Sequence, residues 1–271
     1  MRSVYIFGGA VAVGLVGALG SMLIFPPRTT TASVTLPIAT PTSGRSGNAI
    51  DPQSNATPLP GETPAAVGAL APASGPVTLC PGHEAVTLAD GRLLGHIPYP
   101  EANPADLVAP PAGFDGGNCQ KVDREMKPAL EALIAAATKD DPQIGKMMMG
   151  ISCFRSIERQ RGLFCAPAKL ATRGVAGQAK WVAPPGYSEH ATGFTLDFGV
   201  RSRPDCNVSP CFAETRTGQW LAKNARKYGF EMSFPNGNKQ GVSYEAWHYR
   251  FVGSDRAKAV FARARRDFPS P

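Results

Sequence analysis

Four segments of the chain carry the sequence signals of α-helices. Over residues 122–139, apolar side chains such as Met126, Leu130 and Leu133 recur at the spacing of one helical face. The other three segments are marked by residues that cap or end helices. They predict a helix opened by Ser156, a helix over residues 215–228 ended by Gly229, and a helix that is capped by Ser254 and runs to about residue 268.

Three shorter segments have the pattern of β-strands. Residues 147–153 form a short apolar run, which is typical of a buried strand. In residues 194–198 and 247–251 apolar and polar residues alternate, and this period of two places Asp197 and His248 on the polar faces of their strands. Strands mixed irregularly with helices predict an α+β domain with a mainly antiparallel sheet flanked by helices.

The N-terminal part of the chain differs from the rest. Residues 4–25 carry no charge, and a helix of this length, rising about 1.5 Å per residue, could cross a hydrocarbon core of about 30 Å. Residues 26–76 are rich in Pro, Ser, Thr and Ala and contain no aromatic residue, which predicts a linker without a packed core. The predicted organisation is a membrane anchor or signal segment over residues 1–25, this linker, and one folded domain over residues 77–271.

The apolar segment has two possible fates. A retained anchor is favoured because the apolar run continues to Phe25, past the small-x-small sequence Ala18-Leu19-Gly20 at which a signal peptide could be cleaved. A retained anchor would hold the folded domain at the inner membrane, outside the cytoplasm. Cleavage would instead release a periplasmic or secreted protein.

Six cysteines fit an exported chain, in which an even number of cysteines indicates disulfide bonds. Cys206 and Cys211 bracket a turn-like Asn-Val-Ser-Pro sequence and are predicted to pair. A continuous helix between Cys153 and Cys165 would separate them by about 18 Å, whereas a disulfide needs Cα atoms within about 7 Å. The sequence predicts no connectivity for the four cysteines other than Cys206 and Cys211.

The chain is basic, with a formal net charge of +7 at pH 7. A basic protein outside the cytoplasm suits an anionic partner such as a cell wall or lipid head groups. The sequence has no recognisable nucleic-acid-binding motif, and export argues against a nucleic-acid partner.

Histidine and aspartate side chains suggest a metal site. His190 lies in a loop that leads into the strand of Asp197, and His248 lies on the polar face of a second strand. Two imidazoles and one carboxylate are a known ligand set for catalytic zinc, with the fourth position open. The other two histidines, His83 and His96, have no matched partner in the sequence and are expected to be ordinary structural residues.

Three motifs in the same order resemble the VanY-type D-alanyl-D-alanine carboxypeptidases, zinc DD-peptidases related to Hedgehog domains. The family pattern S-x-H-x-x-G-x-A-x-D corresponds to residues 188–197, and E-x-W-H corresponds to residues 245–248. Upstream, Phe154-Arg155-Ser156 followed by Gln160 is similar to the family's Y-R-S…Q segment.

Three residues depart from the family pattern. Thr195 in place of Ala is a small and tolerable change, and Phe154 in place of Tyr removes a hydroxyl. Cys153, where Gly is common, could reshape the entry to the Arg155 loop and so bears on substrate choice more than on catalysis.

The resemblance implies a zinc site and a set of residues that act on substrate. The implied zinc ligands are His190, Asp197 and His248. The implied base, Glu245, deprotonates the attacking water and then protonates the leaving amine. The implied substrate-binding residues are Arg155, for the oxyanion or the terminal carboxylate, with Gln160 and Ser188 at the same end of the substrate. Since Glu245 and His248 are three residues apart, a regular strand would point them to opposite faces, so the chain is predicted to bend or bulge before Trp247.

The function implied by the resemblance is removal of the terminal D-alanine from peptidoglycan stem peptides. The protein is separately expected to be a monomer. An L,D-carboxypeptidase acting on tetrapeptide stems is an alternative, because related folds carry out both reactions. A zinc-containing module that binds the cell wall without catalysis is a third reading. The presence of Glu245 argues against this module, since binding alone needs no base.

Overall fold

The structure is a computed structural model and describes residues 74–270. The predicted anchor and almost all of the predicted linker lie outside the described residues. None of the helices within residues 74–270 is long and apolar enough to cross a membrane.

The described chain alternates short strands with six α-helices. The strands are β1 (Gly75–Cys80), β2 (His83–Thr87), β3 (Leu107–Val108), β4 (Asp115–Asn118), β5 (Val122–Asp123), β6 (Met148–Ser152), β7 (Thr195–Val200), β8 (Phe230–Met232) and β9 (His248–Phe251). The helices are α1 (Lys127–Asp140), α2 (Pro142–Met147), α3 (Ile157–Phe164), α4 (Pro167–Ala179), α5 (Arg216–Asn224) and α6 (Asp255–Asp267).

A five-stranded sheet with the order β4-β6-β7-β9-β8 forms the centre of the domain. The pair β4–β6 is parallel and the other three pairs are antiparallel, which agrees with the predicted α+β domain and its mainly antiparallel sheet. In the β7–β9 pair, Asp197 lies directly opposite His248. The sheet register therefore brings together two of the residues that the sequence indicated as metal ligands.

Two apolar clusters hold these elements in place. The larger one packs side chains of the central sheet, such as Phe198, against helix residues that include Leu130, Leu221 and Phe261. The smaller one joins the β1–β2 hairpin to helices α3 and α4, and its buried members include Leu79, Leu93, Phe164 and Leu170. Together these clusters give the domain a core of its own, independent of any bound metal.

Most of the predicted helix boundaries are confirmed. The side-chain oxygen of Ser156 accepts a hydrogen bond from the Arg159 amide, and that of Ser254 accepts one from the Ala257 amide, so both serines cap helices as expected. The helix predicted over residues 215–228 comprises α5 followed by a 3₁₀ turn at Ala225–Tyr228. Gly229, which ends it, has a φ of 79°, a left-handed conformation that glycine adopts without strain.

Two helix predictions were wrong or incomplete. The helix predicted over residues 122–139 begins only at Lys127, because Val122 and Asp123 pair with β3 as a short strand. The six-residue α2 and the longer α4 were not predicted at all. Helix α4 contains two glycines, and its chain breaks out of helical geometry at Gly174, so its sequence lacks a continuous helical pattern.

Three disulfides crosslink the domain. Cys206 and Cys211 are paired as predicted. Cys80 at the end of β1 pairs with Cys165 at the end of α3, and Cys119 after β4 pairs with Cys153 after β6. The exclusion of a Cys153–Cys165 pair is therefore correct.

Candidate metal centre

The side chains of His190, Asp197 and His248 meet in the interior of the domain. His190 lies on a 3₁₀ turn, Glu189–Thr192, that is ended by Gly193 in a left-handed conformation and leads into β7. Asp197 Oδ2 lies 3.2 Å from His190 Nε2, and Asp197 Oδ1 lies 3.0 Å from His248 Nδ1. All three residues are buried, and their nearest ligand atoms lie within 4.8 Å of one another.

The remaining nitrogen of each imidazole is held by a hydrogen bond. His190 Nδ1 donates to the carbonyl of Cys153 at 2.8 Å, and His248 Nε2 donates to Glu189 Oε2 at 3.0 Å. The nitrogen that faces Asp197 is therefore Nε2 in His190 and Nδ1 in His248. Metal-binding histidines commonly donate their second N–H to a carbonyl or carboxylate in this way, which fixes both the tautomer and the ring orientation.

The protonation states of the cluster suit a divalent cation. Burial lowers the pKa of His190, as does the positive charge of Arg155. Burial alone would raise the pKa of Asp197, but the two histidines outweigh it and hold that pKa far below its usual range. For His248, burial lowers the pKa, yet its bonds to Asp197 and Glu189 outweigh this and raise it to about 10. The cluster thus attracts positive charge, and a metal ion would take the place of the proton on His248.

The donor set of two imidazole nitrogens and one carboxylate oxygen fits zinc. Catalytic zinc sites have three protein ligands of these types and one open position. All three residues also line a cavity of about 570 Å³, so an ion held by them would be reachable by substrate.

Glu245 lies in the turn immediately before β9, where the chain bends as predicted. The His248 amide donates to the Glu245 carbonyl at 3.2 Å, and Glu245 Oε2 lies 3.6 Å from His248 Nδ1. The pKa of Glu245 is raised to about 7, chiefly by burial, with Asp197 and Glu189 adding to the effect and His248 opposing it. The turn therefore brings the Glu245 carboxylate to the edge of the cluster formed by His190, Asp197 and His248, which is called the metal cluster below.

Arg155 and Ser188 line the same cavity as the metal cluster. Arg155 is partly exposed to this cavity, but its Nε is enclosed and has no hydrogen-bond partner among residues 74–270. Burial lowers the pKa of Arg155, while the charges of Asp197 and Glu245 oppose that change. Within residues 74–270 its one side-chain hydrogen bond is long, 3.4 Å from Nη1 to Ser152 Oγ. The guanidinium thus has N–H donors that can bind a ligand.

Gln160 does not line the cavity but lies behind a residue that does. It is completely buried, and its side-chain amide donates to the carbonyl of Ala183, which lines the cavity. Its Oε1 has no hydrogen-bond partner within residues 74–270. Among the residues predicted to bind substrate, the structure therefore brings Arg155 and Ser188 to the cavity directly and Gln160 only through Ala183.

Glu189 is a site residue that the sequence reasoning missed. It is buried, and besides its bond with His248, its Oε1 accepts hydrogen bonds from Arg250 NH1 at 3.0 Å and from the Tyr99 hydroxyl at 3.2 Å. Its Oε2 also accepts from Ser233. Burial would raise the pKa of Glu189, but Arg250, His248 and Ser233 outweigh it and lower the pKa to about 2. A signal was present in the sequence, since an arginine two residues after His248 faces the same side of a buried strand and needs a carboxylate partner.

Replacement of Glu189 is expected to weaken zinc binding by about 10- to 100-fold, because His248 would lose the acceptor that orients its ring. The measurement is a zinc titration of the purified chain against a competing chelator, with Glu189→Ala and the gentler Glu189→Gln compared at equal folded fraction. Glu231→Gln is the matched control, because Glu231 also binds Arg250, whereas the carboxylates paired with His248 in the described chain are Glu189, Asp197 and Glu245. An equal loss of zinc affinity in the Glu231 variant would mean that Glu189 acts through the fold alone.

The described site is thus a buried His-Asp-His cluster with a donor set that fits zinc, open to a cavity and flanked by a carboxylate and a guanidinium. The model of the VanY family, described as D-alanyl-D-alanine carboxypeptidase, matches residues 119–254. The chain belongs to this family. The matched span contains all seven residues that the sequence indicated for metal binding, catalysis or substrate binding.

Individual relatives agree with this assignment over part of their length. YodJ of Bacillus subtilis (strain 168), described as a candidate carboxypeptidase, is 36% identical over 163 residues, which cover 58% of this chain and 57% of YodJ. A D-alanyl-D-alanine carboxypeptidase of Enterococcus faecalis (strain ATCC 700802 / V583) is 30% identical over 156 residues, 53% of either chain. The chain thus spans little more than half the length of these curated relatives. Among solved structures, the LdcB LD-carboxypeptidase is similar with a TM-score of 0.49 and 31% identity, covering 61% of this chain and 75% of LdcB.

Proposed function

We propose that this chain is a zinc-dependent D-alanyl-D-alanine carboxypeptidase that removes the terminal D-alanine from peptidoglycan stem peptides. One observation carries the proposal. The metal cluster, Glu245 and Arg155 all line one cavity, so a peptide end bound there would meet a metal ligand set, a base and a cation together. Family membership supports the same reaction.

The residues divide into those that hold the metal and those that move protons. His190, Asp197 and His248 would hold zinc, which when bound supplies the Lewis acidity that activates water and polarises a carbonyl. Glu245 accepts a proton from the attacking water and returns it to the amine of the departing D-alanine. A pKa near neutrality suits both halves of this exchange, because the same group must gain and lose a proton at working pH.

Arg155 is assigned to the free carboxylate of the terminal D-alanine. A guanidinium carries a permanent charge and a fork of donors that matches a carboxylate, and the enclosed Nε of Arg155 is left without a partner in the described chain. Ser188 lines the same cavity and can donate a hydrogen bond to the substrate. Gln160 supports this end of the site by holding the Ala183 carbonyl.

Cleavage is expected to require the free terminal carboxylate. Amidation of that carboxylate should abolish turnover of a pentapeptide ending in D-Ala-D-Ala, and Arg155→Ala should lower kcat/KM by about 10- to 100-fold, since a charge-assisted bond contributes about 1.5–3 kcal/mol. The assay measures D-alanine release by the zinc-loaded chain, with the exposed Arg226→Ala as control. Release from tetrapeptides in place of pentapeptides would identify the L,D reaction instead, and efficient cleavage of amidated or internal bonds would contradict the assignment of Arg155.

We further propose that residues 1–25 anchor the chain in the inner membrane and that residues 26–76 link this anchor to a monomeric catalytic domain outside the cytoplasm. The uncharged N-terminal segment and the three disulfides support this arrangement. The full-length protein is then expected to sediment with membranes and to resist extraction by high salt. Recovery of a soluble periplasmic or secreted form that begins near Ser21 would show cleavage instead.

A further inference from the structure

The cavity that contains the metal cluster is larger than a terminal D-alanine requires, and one of its walls is basic. Helix α4 and the segment that follows it contribute Lys169, Arg173, Lys180 and Trp181 to the lining. A carboxypeptidase releases a single small residue, so most of a cavity of about 570 Å³ is available to the acyl part of the substrate. The chemistry of this wall therefore bears on which peptides are accepted.

The positive charges on this wall are not balanced by any carboxylate within the described residues. The carboxylates that line the cavity are Glu189, Asp197 and Glu245, and all three belong to the metal cluster and its hydrogen bonds. Lys169, Arg173 and Lys180 form no ion pair within residues 74–270. Exposed lysines are commonly solvated without a partner, but several arginines of this domain do bind a carboxylate, including Arg203, Arg250 and Arg256.

Arg173 is held in place on the wall without being neutralised. Its guanidinium carbon lies 5.6 Å from the centre of the Trp181 ring, and its NH1 lies 3.4 Å from Gln178 Oε1. In an unbroken helix, residues eight apart would be separated by about 12 Å along the axis. Helix α4 is broken at Gly174, with a φ of 61°, and ends at Ala179, so Trp181 does not lie on one continuous helix with Arg173. Trp181 itself is 50% exposed, so the pair forms a preorganised cationic platform at the cavity rather than part of the core.

We propose that this basic wall, formed by Lys169, Arg173 and Lys180, selects substrates whose acyl part carries carboxylate groups in addition to the C-terminal one. The inference rests on the proposed function and narrows its substrate class to acidic peptides. Lys169 and Arg173 are four residues apart and so lie on one face of α4, where they can contact the same stretch of a bound peptide. The wall contributes binding energy away from the scissile bond and acts on KM rather than on kcat.

Two acylated peptides of equal length ending in D-Ala-D-Ala test this inference, one with a side-chain carboxylate on its third residue and one with that group amidated. For the zinc-loaded full-length chain, the KM of the acidic peptide is expected to be about 3- to 10-fold lower at low salt, and the preference is expected to shrink as ionic strength rises. Arg173→Met should remove most of the preference with kcat unchanged, and combination with Lys169→Met and Lys180→Met should remove the rest. Lys223→Met, an exposed lysine of α5 outside the cavity, should leave the preference intact.

The outcomes separate the inference from the function on which it rests. Equal KM values for the two peptides in the wild type, or a preference that persists in the triple variant, would overturn the basic wall as a selector while leaving the carboxypeptidase activity in place. Failure to cleave either peptide would contradict the proposed function, and with it the role of the basic wall in selecting substrates. A thermal melt of each variant establishes that any loss of preference belongs to the wall and not to unfolding.

Discussion

Glu245→Gln is expected to lower the turnover of D-Ala-D-Ala peptides by about 10²- to 10⁴-fold while the zinc content remains that of the wild type. Glutamine has nearly the same shape but cannot accept a proton from water at neutral pH. Glu245 is not one of the three residues assigned to the metal, so its replacement removes no ligand. Turnover is measured as D-alanine release, and metal content by elemental analysis of the same preparation.

Glu158→Gln provides the matched control, because Glu158 lies on α3 with a side chain that is 87% exposed. It should change neither turnover nor zinc content. A Glu245→Gln protein without zinc would mean that Glu245 is itself a ligand. A fully active Glu245→Gln protein would place the base elsewhere and would contradict the role transferred from the family at its central residue.

Removal of the metal is expected to abolish activity without unfolding the domain. His248→Ala deletes one of three ligands, so the chain should lose most of its zinc, and chelation of the wild type should produce the same inactive state, reversed by added zinc. The wild type should hold about one zinc per chain. Circular dichroism of the apo protein should remain native, since the apolar clusters around the sheet contain none of the metal ligands.

His83→Ala serves as the comparison for His248→Ala. His83 lies on β2, outside the metal cluster, and its loss should change neither zinc content nor activity. Active wild-type protein that contains no metal by elemental analysis would overturn the mechanism. Unfolding of the chelated wild type would instead assign zinc a structural role.

The parts of the fold that could be predicted from the sequence are those that local patterns determine. The alternation around Asp197 and His248 is a property of adjacent residues, and Ser156 and Ser254 cap helices through bonds that span three residues. The strand character of Val122 could not be predicted in this way, because it comes from pairing with Val108 on a distant segment. Disulfide connectivity between Cys80 and Cys165 likewise depends on how the β1–β2 hairpin packs on α3.

The same division applies to the site. The three residues proposed to bind the metal could be identified because their motifs are contiguous in sequence and the register of β7 and β9 then places Asp197 opposite His248. Glu189 was missed because its role depends on burial and on Arg250, a partner 61 positions away. The basic wall was missed for a related reason, since Arg173 and Trp181 meet across the break at Gly174 and the end of α4, neither of which the sequence predicted.

The disulfide between Cys119 and Cys153 lies beside the candidate metal centre, so the geometry there depends on whether these two cysteines have been oxidised. The carbonyl of Cys153 accepts a hydrogen bond from His190, and Arg155 follows only two residues later, so this crosslink fixes the corner of the chain that orients one proposed metal ligand and carries the cation proposed for the substrate carboxylate. Thiols stay reduced in a bacterial cytosol, where this corner would lack its crosslink. Recombinant protein for the assays above is accordingly best obtained by secretion or oxidative refolding.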